Sequence, residues 1–150
     1  MPTRNASAVW EGTLKDGKGR MKLGSGAFEG NYSFASRFEQ GGGTNPEELI
    51  GGAHAGCFSM ALAGGLTQSG YPPQRIETSA EVAIERVGGG FRITRINLKT
   101  EAAVSGIEEK LFLDQAQMAK LNCPVSQALK GVEISLQAKL IRSTAPNPDF

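Results

Sequence analysis

The chain has 150 residues, 16 Lys+Arg against 15 Asp+Glu, and 39% hydrophobic residues. That length suits one domain, or two very small ones; a single domain of this size folds without a disulfide or metal staple, and the ordinary apolar content excludes disorder. A net charge of +1 lacks the basic face that counterion release needs, which excludes a general nucleic-acid binder.

Residues Met1 to Trp10 hold no charged segment followed by an apolar run, so no secretory signal is read and a cytoplasmic location is expected. Strands are predicted over Ala6 to Thr13, Gly17 to Leu23 and Phe28 to Phe34, where apolar and polar residues alternate. Arg37 then falls in a loop that leads through Gly41-Gly42-Gly43 to a helix start. Thr44 or Asn45 can cap that helix, Pro46 suits its first position, and Glu47 and Glu48 meet the positive end of its dipole. The run Leu49 to Leu66 is uncharged and long enough to raise a membrane span. Its Gly, Ala, His and Ser are poor drivers of insertion, so a buried core helix and no membrane are predicted. Ser69-Gly70 and Pro72-Pro73 end it.

Arg75 to Val87 alternates as a strand, Gly88-Gly89-Gly90 turns it, and a change of parity near Thr94-Arg95 predicts a bulge in the return strand. Ile107 to Leu121 reads as a helix closed by Asn122. Pro124 keeps Cys123 out of the helical region and opens a short helix to Lys130. Val132 to Leu140 is the last strand. The order predicts an α+β domain over residues 1–142, a mostly antiparallel sheet with helices on one face, and a frayed tail over 143–150.

The chemistry starts with the thiols. Two cysteines, Cys57 and Cys123, are too few for a disulfide scaffold and point instead to redox use. Cys123 stands at a cap position that favours a thiolate, whereas Cys57 lies mid-helix where burial opposes one. An inert buried thiol is the plain alternative for each. Arg37 and Glu47 add a fork and a carboxylate that can serve a thiolate, although solvated charges fit both residues as well. His54, the only histidine, is a helical neighbour of Cys57. A Cys/His hydrolase pair is conceivable, but a packing histidine is the simpler reading. Cys57, His54 and Cys123 lack a recognised zinc spacing, so no metal is expected.

The segments from Thr44 to Ile50, His54-Ala55, Cys57 to Leu62 and Cys123-Pro124-Val125-Ser126-Gln127-Ala128-Leu129 resemble the OsmC/Ohr family. Its name stands for osmotically inducible protein C and organic hydroperoxide resistance protein. Val9 to Gly12 and Ser36 to Glu39 resemble its OsmC branch. The resemblance implies an α+β fold with a curved sheet on two main helices, and an intertwined homodimer with sites at its interface. It also implies a thiol peroxidase, free of cofactors, that reduces organic hydroperoxides at the expense of a dithiol such as a lipoyl group. By motif, Cys57 falls on the peroxide-attacking thiol, Cys123 on the resolving thiol, and Arg37 and Glu47 on the activating pair. This reverses the local ranking of the two thiols. Phe38, Phe58 and Met60 are expected to line an apolar pocket. A redox-switched binder of an apolar ligand is the alternative.

Glu47 and Cys57 are ten residues apart, about 15 Å along a straight helix, too far for contact. Arg37 spans the gap, the Gly51-Gly52 pair bends the helix, or a second chain supplies the Glu. Gly52 and Gly56 are expected to pack against another helix at the dimer core.

Overall fold

The computed structural model describes residues 1–141. The frayed tail predicted over 143–150 lies outside them. The chain divides in sequence into two compact units, Met1–Leu49 and the residues from Ile50 on.

The first unit opens with β1 (Ala6–Glu11), β2 (Lys18–Leu23) and β3 (Glu29–Tyr32). They form an antiparallel meander in chain order. Along β2, Gly19, Met21 and Leu23 are half-buried while Lys18, Arg20 and Lys22 are exposed, the period of two that the sequence predicts. Trp10 and Tyr32 pack with their rings tilted at 52°, 5.3 Å between centres. Gly19 stands against both rings, and a Cβ there would collide with them.

The chain then departs from expectation. Phe34 continues no strand and Arg37 stands in no loop, because α1 (Phe34–Phe38) begins there. The cause is a reciprocal cap. Ser33 Oγ accepts the Ser36 N–H at 3.1 Å, and Ser36 Oγ accepts the Ser33 N–H at 2.8 Å. After α1, Gly43 takes a φ of +110°, open to glycine alone at little strain. The Thr44 N–H then bonds the Asn31 carbonyl at 2.8 Å.

Helix α2 (Pro46–Gln68) starts as predicted, with Asn45 Oδ1 accepting the Glu48 N–H at 2.8 Å. Gly70, at φ +88°, follows its end. It runs unbroken through Gly51-Gly52. Most of it belongs to the second unit, with β4 (Arg75–Val87), β5 (Gly90–Ala103), α3 (Glu109–Asn122), α4 (Pro124–Ala128) and β6 (Glu133–Ile141). Gly88 and Gly89 form a two-residue hairpin with both φ positive, as a primed turn requires. The predicted bulge is present: Ala83 faces Arg95 and Ile84 faces Ile93, leaving Thr94 as the extra residue.

The pairing is mostly antiparallel, as predicted, with one correction: the strands make two three-stranded sheets rather than one. Within the second, β6 lies parallel to β5 beside the antiparallel β4–β5 pair. A parallel neighbour needs a crossover, and α3 with α4 provides it. As the central strand, β5 carries the buried Ile96, Leu98 and Ala102. They pack with Phe58, Leu62 and Leu66 of α2 and with Phe112, Ala116 and Ala119 of α3.

In α2, four-residue spacing puts His54, Phe58, Leu62 and Leu66 on one face, each with no exposed surface. Gly52, Gly56, Met60 and Gly64 are exposed, and Met60 retains 79% of its surface. The helix is therefore buried on one side of this chain, not all round. Gly52 and Gly56 have open space where a Cβ would go. By length and composition α2 could span a membrane, yet its large side chains fill the core of the second unit.

Candidate active site

The structure brings the two thiols together. Cys57, half-buried on α2, interacts with the side chain of Cys123, and the Val125 backbone N–H is directed at it. Both are free thiols, and Cys123 is only 1% exposed. Burial pushes the Cys57 thiol above its ordinary value of 9.0. The Val125 N–H pulls it back down, and Cys123 pushes it up. Within the second unit, then, Cys57 has a donor but a net bias toward the neutral thiol.

Cys123 owes its place to Pro124. It is extended (φ −61°, ψ 140°), so it closes α3 and caps α4 at once. Its N–H bonds the Ala119 carbonyl at 3.0 Å. Its sulfur accepts the Ser126 N–H at 3.4 Å and lies 3.0 Å from Ser126 Oγ.

Ser126, only 4% exposed, was not singled out from the sequence. Its hydroxyl also lies 2.7 Å from His54 Nε2, joining residues 72 positions apart. The sequence signal that could have exposed it is the cap spacing itself: Ser126 is the third residue after Cys123, where a cap receives its N–H. The other ring nitrogen, His54 Nδ1, is buried and has no partner among the described residues. His54 is thus a buried core residue, as the simpler reading has it, but its hydrogen bond goes to Ser126 and one ring nitrogen is left over. Burial lowers its pKa from the ordinary 6.5, which keeps the ring neutral.

Arg37 and Glu47 meet in the first unit. Arg37 Nη2 donates to Glu47 Oε1 at 2.7 Å, and Nε reaches Oε1 and Oε2 at 3.2 and 3.3 Å. Glu47 is 5% exposed, so the reading of two solvated charges does not hold. Local bonds set the geometry. Ser36 Oγ donates to the Thr44 carbonyl at 2.7 Å, and Asn45 Nδ2 donates to the Ser36 carbonyl at 3.0 Å. These tie α1 to the residues that open α2.

Beside Arg37 is a cavity of about 440 Å³ walled by Trp10, Leu14, Tyr32, Phe34 and Phe38. Its lining is aromatic, with one cation at its edge. This corrects the expected pocket. Phe58 is locked in the core, and Met60 points outward two residues later, so α2 does not offer both to one pocket. Among the described residues no group of three or more His, Cys, Asp and Glu side chains is placed to hold a metal.

Comparison with known proteins bears on this arrangement. The model of the OsmC-like protein family matches residues 39–137. The chain is 49% identical over 138 residues to Peroxiredoxin OsmC of Escherichia coli (strain K12), covering 91% of this chain and 96% of that protein. It is 30% identical over 98 residues to an organic hydroperoxide resistance protein of Xanthomonas axonopodis pv. citri, covering 64% and 67%. An organic hydroperoxide resistance protein from Elizabethkingia anophelis, solved as a crystal structure, shares the fold with a TM-score of 0.75 at 24% identity. That match covers 94% of this chain and 98% of the other.

Proposed function

Because this chain belongs to the OsmC-like protein family, we propose that it is a cysteine-based peroxidase that reduces organic hydroperoxides to alcohols, with Cys57 as nucleophile and Cys123 as resolving thiol. The observation that carries the reading is the meeting of Cys57 and Cys123 under the Val125 N–H. The names of the relatives, a peroxiredoxin and an organic hydroperoxide resistance protein, point the same way.

The Cys57 thiolate attacks the outer peroxide oxygen. The O–O bond breaks, the alkoxide leaves as alcohol, and Cys57 becomes a sulfenic acid. Arg37 stabilises the thiolate and the developing oxyanion, and Glu47 aims the guanidinium. Cys123 then attacks the sulfenic sulfur, water leaves, and a disulfide forms. A dithiol of the lipoyl kind restores both thiols by exchange. The aromatic cavity beside Arg37 suits an alkyl or aryl group and offers hydrogen peroxide little. The working unit is a cytoplasmic homodimer in which the exposed Gly52 and Gly56 face of α2 packs against a second helix.

Steady-state consumption of cumene hydroperoxide, tert-butyl hydroperoxide and hydrogen peroxide, with lipoyl and monothiol reductants, tests the reading. Organic substrates and dithiols are favoured. Cys57→Ser abolishes turnover, and Cys123→Ser allows one turnover before Cys57 over-oxidises. Full turnover in Cys57→Ser overturns the assignment. Peroxide-driven disulfide formation without steady-state turnover turns the protein into a redox-switched binder.

A further inference from the structure

We propose that Ser126 and His54 form a proton relay that deprotonates Cys123 for its attack on oxidised Cys57, a role that rests on the peroxidase reading above. The atoms form one line: Cys123 Sγ, 3.0 Å to Ser126 Oγ, then 2.7 Å to His54 Nε2. All three residues are buried, His54 and Cys123 almost completely. Hydroxyl rotation lets Ser126 accept from the thiol and donate to the ring.

The imidazole is the telling part. A ring placed in the core for packing alone would need no polar atoms, and a ring placed for hydrogen bonding would engage both nitrogens. His54 engages one, and Nδ1 is buried with no described partner. Leaving a buried polar atom unpaired costs folding free energy. Such a cost is tolerated where a group serves chemistry. Burial also keeps the ring neutral, and only the neutral ring can accept a proton.

The step balances without an outside reagent. The Cys123 thiol proton passes to Ser126 Oγ as the Ser126 proton passes to His54 Nε2. The Cys123 sulfur forms a bond to the Cys57 sulfur, and the S–O bond of the sulfenic acid breaks. The departing hydroxide gains one proton to become water, and the imidazolium gives one up. Cys123 is oxidised, the sulfenic sulfur is reduced, and the sum is one disulfide and one water. Ser126 touches the reacting sulfur and is catalytic in this step. His54 acts through it and is a positioning residue.

A single-turnover experiment separates this step from the one before it. Reduced protein receives one equivalent of cumene hydroperoxide and is quenched with dimedone at intervals. Intact mass then reads sulfenic acid against disulfide. In Ser126→Ala the sulfenic acid outlives that of the natural protein by roughly 100-fold or more, the scale of a lost general base. His54→Gln, which hydrogen-bonds without taking a proton, is slowed likewise and loses the solvent deuterium effect on disulfide formation. In a Cys123→Ser background, Ser126→Ala leaves the sulfenic lifetime unchanged. Disulfide formation at the natural rate in Ser126→Ala overturns the relay, as does a longer lifetime that persists without Cys123. Should His54→Gln fail to fold, Ser126→Ala, which removes one oxygen, still decides. If the natural protein forms neither sulfenic acid nor disulfide, the peroxidase reading falls and takes the relay with it.

Discussion

At the scale of single residues, Cys57 poses an electrostatic problem. Burial drives it toward the neutral thiol, and one backbone N–H opposes that drive. A thiolate nucleophile at neutral pH therefore needs a cation. Arg37 is the candidate, since its fork is already aligned by a buried carboxylate. In Arg37→Ala, alkylation of Cys57 by iodoacetamide at neutral pH should slow roughly tenfold or more, the effect of removing one cation beside a thiolate. An unchanged alkylation rate rejects that role. The buried imidazole makes a separate prediction. Its pKa is lower folded than unfolded, so the unfolded chain takes up a proton first as pH falls past the ordinary 6.5. Stability contributed by the neutral ring is intact above that pH and is lost below it, down to the folded pKa. The Tm of the natural protein should therefore fall more steeply between neutral pH and about pH 5 than that of His54→Gln. Parallel Tm curves would show that His54 protonates equally well in both states.

At the scale of elements, α1 is where a short motif controls the site. Its five residues hold Arg37, and one hydroxyl, Ser36 Oγ, serves both the cap and the Thr44 carbonyl. Ser36→Ala removes both bonds, at a cost of about 1–3 kcal/mol in urea unfolding. It also lowers peroxidase kcat/KM by loosening Arg37. A variant that loses stability and keeps full kcat/KM would show that Arg37 needs no such support. This helix was hidden because Phe28, Tyr32 and Phe34 keep the strand period straight across the Ser33 cap. By contrast, the Gly88-Gly89 turn, the bulge at Thr94, the Asn45 start of α2 and the extended Cys123 were legible, since each depends on a few adjacent residues. The parallel β5–β6 pairing and the Ser126–His54 bond were not. Both join parts of the chain far apart in sequence, and no local period encodes them. The two thiols, Arg37 and Glu47 were singled out from their local chemistry, but the roles assigned to them came only from motif resemblance, since local reasoning ranked Cys123 the more acidic thiol and favoured solvated charges.

At the scale of the whole molecule, the proposed activation of Cys57 by Arg37 can run within one chain or between two. Arg37 holds Glu47 directly, so the pair belongs to one chain. Glu47 and Cys57 both ride on α2, ten residues apart, and the helix is unbroken. At 1.5 Å per residue that is about 15 Å along the helix axis, too far for Glu47 itself to touch Cys57. If a second copy of the chain docks on the exposed Gly52 and Gly56 face, as proposed above, it can present its own pair to Cys57. Mixing two inactive proteins decides the matter. Arg37→Ala chains keep Cys57, and Cys57→Ser chains keep Arg37. If the pair acts across the dimer, each mixed dimer rebuilds one complete site, and reassociated mixtures regain on the order of a quarter of natural activity, because about half of randomly paired dimers are mixed. If each chain activates its own thiol, every site in the mixture lacks one component, and no activity returns beyond the sum of the separate variants.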